Sequence, residues 1–174
     1  VVGFQKDSVI EALQAYKATD LPYQLDWIVQ EQQLGTGDAA RAALKSSWGK
    51  AVLEQKLDVL VLPGDLPLVQ VSMLKELSEP LTAGRSGKPV MRLLTTVLPD
   101  PRGYGRVVRR GKAKQPLKIV EEKDASDRER LITEVACSIY LFQSSFLNSG
   151  LARLTPKNQQ AEYYLTDLVE QASR

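Results

Sequence analysis

The sequence predicts an α/β fold, a mostly parallel sheet covered by helices on both faces. Three observations carry that prediction. Residues 57–62, Leu-Asp-Val-Leu-Val-Leu, are an apolar run that stops at Gly64 and a single carboxylate, Asp65, as a central strand buried on both faces reads. Strand-like and helix-like segments alternate through the first half of the chain, the pattern of strands joined by helical crossovers. A content of 43% hydrophobic and 25% charged residues over 174 positions suits one domain with an ordinary core.

The chain opens on Val1-Val2-Gly3, a strand fragment with no turn or helix before it, as a piece cut from something longer would. Ser8-Val9-Ile10-Glu11 has capping-box spacing, so a short helix is expected with Val9, Leu13 and Tyr16 inward. Residues 25–29 read as a strand around Trp27. Residues 39–48, rich in alanine with Leu44 and Trp48 four apart, read as an amphipathic helix. After the strand at 57–62, Ser72 is placed to cap a helix carrying Met73, Leu74 and Leu77. Residues 90–98 form the next apolar strand, and residues 100–106 a turn-rich loop. Val107-Val108 and residues 117–120 then read as strands joined by a basic hairpin over 109–118. Residues 124–130 are expected to be helical, 135–142 a strand and 144–154 a helix. Residues 160–172 close the chain as a helix with Tyr164, Leu168 and Ala172 along one side.

Composition excludes whole classes of chemistry. The net charge of +2, from 23 basic and 21 acidic residues, is too balanced for a nucleic-acid or membrane surface, so any anion site must be local. No apolar run approaches the roughly 18 residues that span a bilayer, and the N-terminus has no signal-peptide pattern, so a cytoplasmic location is expected. The single cysteine, Cys137, precludes an internal disulfide and reads as a buried structural thiol. With no histidine there is no Ser-His-Asp triad, no Cys-His dyad and no histidine general base within this chain. Carboxylates, amines, hydroxyls, backbone dipoles or a hard cation must do the work.

Two stretches have the form of ligand sites. Ligands of open α/β sheets sit beyond the carboxyl ends of strands, where Asp65 lies, and Gly64 offers no side chain to block an approach. A simple turn capped by Asp65 reads equally well from this stretch alone. Leu34-Gly35-Thr36-Gly37 joins a strand to a helix, so its glycines can present backbone N–H groups near a helix N-terminus; a tight turn capped by Thr36 or Asp38 is the plainer reading. Gln30 precedes this turn, and an amide both donates and accepts, as the edge of a nucleobase requires.

Five motifs then occur in one order: Gln30 with Gln33-Leu34-Gly35-Thr36-Gly37, Gly64-Asp65-Leu66-Pro67-Leu68, Gly103-Tyr104-Gly105-Arg106, Val120-Glu121-Glu122-Lys123-Asp124-Ala125, and Glu162-Tyr163-Tyr164-Leu165-Thr166-Asp167. Over nearly its whole length the chain resembles the uridyltransferase domain of the bacterial bifunctional N-acetylglucosamine-1-phosphate uridyltransferase and glucosamine-1-phosphate acetyltransferase. The resemblance implies a Rossmann-like nucleotidyltransferase that joins UTP to a sugar 1-phosphate, releases pyrophosphate and serves cell-wall precursor synthesis. It also implies Mg2+ as cofactor. Residue by residue, Gln30, Gly35 and Thr36 match uracil-binding positions and Asp65 the magnesium-binding, catalytic aspartate. Gly105, Glu121, Tyr164 and Thr166 match positions that hold the amino sugar and its phosphate. Nucleotidyl transfer asks mainly for positioning and charge neutralisation, so a chain without histidine suffices. Magnesium keeps water and phosphate ligands and takes one or two carboxylates from protein, so a lone Asp65 is adequate in kind.

The chain departs from that family in several places. The family's glycine-rich triphosphate loop would lie before Val1, a second magnesium-binding asparagine beyond Arg174, and the acetyltransferase β-helix beyond that. The 174 residues are therefore expected to be a single nucleotidyltransferase domain, incomplete at both ends and with little or no activity alone. A homo-oligomer, a trimer, is expected where an acetyltransferase half exists. Val135-Ala136-Cys137-Ser138 stands where the family has an asparagine, a small residue and a glycine. Pro63 replaces a tyrosine and Asp38 a histidine. Ala136 and Pro63 favour an alternative, a catalytically idle nucleotidyltransferase-like binding or regulatory domain. A sugar-transferring glycosyltransferase would want an Asp-x-Asp metal pair, which Asp65-Leu66-Pro67 does not supply.

Overall fold

The computed structural model describes residues 1–17, 23–79, 89–111 and 115–174. Helix α1 (Lys6–Lys17) is followed by α2 (Thr36–Lys45), α3 (Ser47–Glu54), strand β1 (Asp58–Val61), α4 (Val71–Leu77) and β2 (Met91–Val97). Then come β3 (Arg106–Arg109), β4 (Pro116–Val120), α5 (Asp127–Arg130), β5 (Glu134–Gln143), α6 (Ser144–Ala152) and α7 (Asp167–Ala172).

The α/β class stands, with helices on both faces of one five-stranded sheet. On one face Val59, Val107, Ile119, Tyr140 and Phe142 meet Leu44 and Val52 from α2 and α3, Leu147 and Leu151 from α6, and Leu168 and Val169 from α7. On the other face Ile139 and Leu141 pack against Leu77 of α4. Each such side chain contributes on the order of 1.5–3 kcal/mol by leaving water.

Strand direction departs from expectation. Every pairing between named strands is antiparallel: β1 with β5, β2 with β5, β3 with β4 and β3 with β5. Because β1 and β2 both run against β5, they point the same way, as the α4 crossover predicts. The ten-residue β5 lies between them and converts each contact to an antiparallel one. Among the described residues, parallel bridging is confined to Val2–Val29 and Gly3–Gln5. Among the described residues β1 pairs along one edge only, and Leu60 and Leu62 are exposed; the strand is not buried on both faces.

Helix boundaries moved where caps or crossings decided them. Helix α1 begins at Lys6, ahead of Ser8, and Val9 and Tyr16 lie on its exposed side. The predicted helix at 39–48 is two, broken at Ser46, whose hydroxyl accepts from Gly49 N at 3.1 Å to cap α3. Trp48 is exposed as a result. Residues 25–29 form no strand beyond the bridge at Val29. Helix α4 starts after Gln70, so Ser72 is not its cap. The capping box is at α5, where Ser126 and Glu129 satisfy each other's backbone N–H groups. In the basic hairpin, residues 112–114 lie outside the described residues.

Candidate functional site

The glycine turn ahead of α2 is shaped by the chain that crosses it. Gly35 has φ 101, and a Cβ there would stand 2.8 Å from Tyr163 O. A Cβ on Gly37 would stand 2.6 Å from Leu154 Cδ1. The crossing segment is tied down by Tyr163 N to Leu34 O (2.8 Å), Gly37 N to Tyr163 O (2.7 Å) and Leu165 N to Thr36 Oγ1 (3.0 Å). These bonds hold residues 163–165 across the turn, so the closing helix is only α7, and Tyr164 precedes it rather than lying along its side. Asn158 shapes the approach, donating to Glu162 O at 2.6 Å and accepting from Gln160 N and Glu162 N.

Gln30 is fixed beside this turn. Its backbone N–H donates to Val2 O at 2.8 Å. Its amide donates to Gly35 O at 3.2 Å and to Asp38 Oδ2 at 2.9 Å. Both amide hydrogens are thus used in tying Gln30 to the glycine turn and to α2. Arg41, whose guanidinium stacks 4.4 Å over the Tyr163 ring and lies 3.7 Å from Asp38, locks the other side.

Beyond the turn opens a cavity of about 820 Å3. Ala40, Leu44, Trp48 and Val59–Val61 of β1 give it an apolar wall. Thr36, Glu121, Tyr164 and Thr166 gather at one end, and Ser138 and Tyr140 of β5 join the lining, Tyr140 directly opposite Val61 of β1. Thr166, itself buried, donates to Glu121 Oε1 at 2.7 Å. Gly105 is packed against that carboxylate: a Cβ on it would come within 3.3 Å of Glu121 Oε2 and 2.8 Å of Ile119. The Tyr164 hydroxyl lies beside Gln160 and Asp124 yet has no well-formed hydrogen bond among the described residues, and burial pushes its pKa up to about 12. Asp124 accepts from Gln159 N at 2.9 Å through one oxygen, and its other oxygen is buried with no hydrogen-bond partner among the described residues.

The charge at this end is negative. Burial, joined by the charges of Glu170, Glu121 and Asp124, raises the Asp167 carboxyl to about 6. Burial and the Glu121 charge likewise raise the Tyr140 phenol. Asp26, Glu121 and Glu162 line the cavity, and no lysine or arginine does among the described residues. Such a lining favours hydroxyl and amide groups and repels phosphate.

Of the eight predicted site residues, Thr36, Glu121, Tyr164 and Thr166 line the cavity, Gly35 and Gly105 stand directly behind lining residues, and Gln30 is tied to Gly35 without lining the cavity. Asp65 does not line it, although Leu62 and Pro63 do. It sits in the exposed turn after β1, with neither hydrogen bond nor ion pair among the described residues. No group of three potential metal ligands occurs among those residues. A free carboxylate at a strand end fits an ion that takes one protein ligand and completes its shell with water and phosphate. Sequence reasoning missed Asn158, Asp124, Arg41 and the structural use of Asp38. The Asx-type bonding of Asn158 was the one available local signal; the others depend on contacts across distant stretches.

No protein-family model matches the chain. The bifunctional protein GlmU of Anaeromyxobacter dehalogenans (strain 2CP-1) is 41% identical over 174 residues, all of this chain and 33% of that protein. Those of Acidovorax sp. (strain JS42) and Nitrosospira multiformis are 45% and 42% identical over 86% and 85% of this chain, and 29% and 30% of theirs. The chain thus spans about a third of the length of these curated relatives. Among solved structures, a UDP-glucose pyrophosphorylase complexed with UDP-glucose matches with a TM-score of 0.57 at 13% identity, over 99% of this chain and 62% of the other. An apo UDP-glucose pyrophosphorylase matches at 0.55 and 14%, over 86% and 52%. At these identities the structural likeness shows the fold, which is the Rossmann-like one expected.

Proposed function

Taking the chain as kin to the bifunctional GlmU proteins along its whole length, we propose that it carries a sugar-1-phosphate uridyltransferase site. UTP and N-acetylglucosamine 1-phosphate, or a related sugar 1-phosphate, are converted to UDP-sugar and pyrophosphate, for cell-wall precursor synthesis in the cytoplasm. The observation that carries this reading is convergence. Thr36, Glu121, Tyr164 and Thr166, remote in sequence, meet at one cavity end, joined by the Leu165–Thr36 and Thr166–Glu121 hydrogen bonds.

In this reading Thr36, the residue of the glycine turn that lines the cavity, meets the uracil, with Gly35 shaping the turn behind it. The carboxylate and hydroxyl end receives the sugar, whose O–H and N–H groups donate to Glu121. The sugar phosphate lies outside that negatively charged end, toward the mouth near Pro63 and Asp65. An oxygen of the sugar phosphate attacks the α-phosphorus of UTP, forming a new P–O bond as the bond to the β-phosphate oxygen breaks and pyrophosphate leaves. Asp65 is the residue that would hold Mg2+. When bound, that ion neutralises phosphate charge. The protein's part is to position both substrates and to exclude water from the sugar.

The test is pyrophosphate release by the natural full-length gene product with UTP, Mg2+ and a panel of sugar 1-phosphates. Formation of UDP-sugar supports the reading, and none with any sugar ends it. Ala136, which presents a methyl group in β5, and the isolation of Asp65 favour a second reading, a binding or regulatory domain without turnover. Calorimetry showing UDP-sugar binding without pyrophosphate release would select it. Where an acetyltransferase half is present, the trimer belongs to that half.

A further inference from the structure

Strand β5 breaks its register where it passes the cavity. Leu93 pairs with Tyr140 and Thr95 with Ala136, so Leu94 alone is opposed by Cys137, Ser138 and Ile139. Ser138, at the centre of this bulge, has φ 57, a left-handed conformation that residues with a Cβ rarely adopt. Two extra residues leave the alternation of faces intact. Ala136 and Tyr140 stay in the main core while Cys137, Ile139 and Leu141 pack on the opposite face. Ser138 therefore emerges on the cavity side, where it is exposed and joins Glu121, Tyr140, Tyr164 and Thr166 in the lining.

Bulges re-aim side chains beside ligand sites, and strained residues persist where the surrounding structure over-determines them. The pairings on either side, β1 at Tyr140–Gln143 and β3 at Val135, supply that constraint. The chemistry of the wall selects the ligand group: with Glu121 beside it and no cation in the described lining, a neutral ring bearing hydroxyls or an amide fits, and a phosphate does not. We propose that Ser138 is a specificity-determining residue whose hydroxyl hydrogen-bonds the sugar of a nucleotide sugar bound in this cavity. Ala136, two residues back on the same face, offers only a methyl group, and the Tyr140 phenol beside the Ser138 hydroxyl is buried, so Ser138 is the exposed polar contact that β5 makes here.

This inference rests on the proposed function, and its experiment separates the two. The natural full-length gene product and its Ser138→Ala and Ser138→Gly variants are titrated with UDP-N-acetylglucosamine and with UDP, and assayed for KM of both substrates. Ser138→Ala keeps the strained backbone and removes the hydroxyl. It is expected to weaken UDP-N-acetylglucosamine and raise the KM for the sugar 1-phosphate about five- to tenfold, the worth of one neutral hydrogen bond. UDP binding and the KM for UTP stay within about twofold. Ser138→Gly is expected to show the same loss together with a melting temperature raised by about 2–4 °C as strain is relieved, and it carries the test if the alanine variant does not fold. Unchanged sugar binding in a folded variant overturns the inference and leaves the uridyltransferase reading intact. Equal losses toward UDP and UDP-sugar also overturn it. If the unmodified protein neither binds UDP-sugar nor makes it, the proposed function fails and takes this inference with it.

Discussion

Thr166 donates its hydroxyl hydrogen to Glu121 at 2.7 Å, joining the segment that crosses α2 to the end of β4 across 45 positions of sequence. Thr166 is 7% exposed, so its hydroxyl has no ready alternative in water. Thr166→Val keeps the shape and leaves Glu121 short of a donor. A loss of about 1–3 kcal/mol is expected, read from urea denaturation, with a matching fall in sugar affinity.

Gly35 cannot be replaced cheaply. Its φ of 101 and the 2.8 Å approach of Tyr163 O to any Cβ both oppose a side chain. Gly35→Ala is expected to destabilise by roughly 1–3 kcal/mol from backbone strain, and to loosen the crossing at Tyr163 and Leu165. Gly64→Ala, where a Cβ meets nothing within 4 Å, is the control and should change stability little.

Asp167 gives stability a pH dependence of known sign. Its folded-state carboxyl is raised to about 6 from an ordinary 3.8 by burial and by Glu170, Glu121 and Asp124, so the folded protein holds this proton more tightly than the unfolded one. Stability from this group is present below about pH 4 and is lost as pH rises through about 6. Glu129, lowered to about 2 chiefly by its hydrogen bond from Ser126, acts oppositely and withdraws stability as pH falls below its ordinary 4.5. In melting curves between pH 4 and 8, Asp167→Asn should be more stable than the parent at pH 8, and the difference should shrink toward pH 4. A constant difference across that range would contradict the assignment.

Arg106 is 1% exposed and pairs with Glu122 at 2.7 Å, which holds the Glu122 carboxyl below its ordinary range. Arg106→Met removes a buried charge and leaves Glu122 able to turn to water, since it keeps a third of its side-chain exposure. The variant is expected to be destabilised, since it loses the Arg106 hydrogen bond to Tyr104 O along with the pair, as measured by chemical denaturation.

What the sequence revealed, and what it did not, follows from the range of the interactions. The α4 crossover, the β3–β4 hairpin and the convergence of motifs at Thr36, Glu121 and Thr166 were legible, because apolar runs, turn residues and motif order are written locally. Strand direction was not. Alternating strands and helices set β1 and β2 parallel to each other, but nothing in either segment announces that β5 lies between them. Helix α2 stopped early because Ser46 found Gly49 N, and the closing helix started late because Tyr163 and Leu165 bond to the glycine turn. Ser138 stood out only by occupying the family's glycine position; its left-handed backbone and its place in the cavity wall depend on the long-range pairing of β5.

Asp65 tests the account most directly, because it supports nothing else. It is exposed and unbonded among the described residues, so Asp65→Asn should leave the fold and its melting temperature unchanged. In the natural full-length gene product, supplied with UTP, Mg2+ and N-acetylglucosamine 1-phosphate, the account predicts that this one change lowers pyrophosphate release by about 100-fold or more. Release by Asp65→Asn within a fewfold of the parent rate would contradict it.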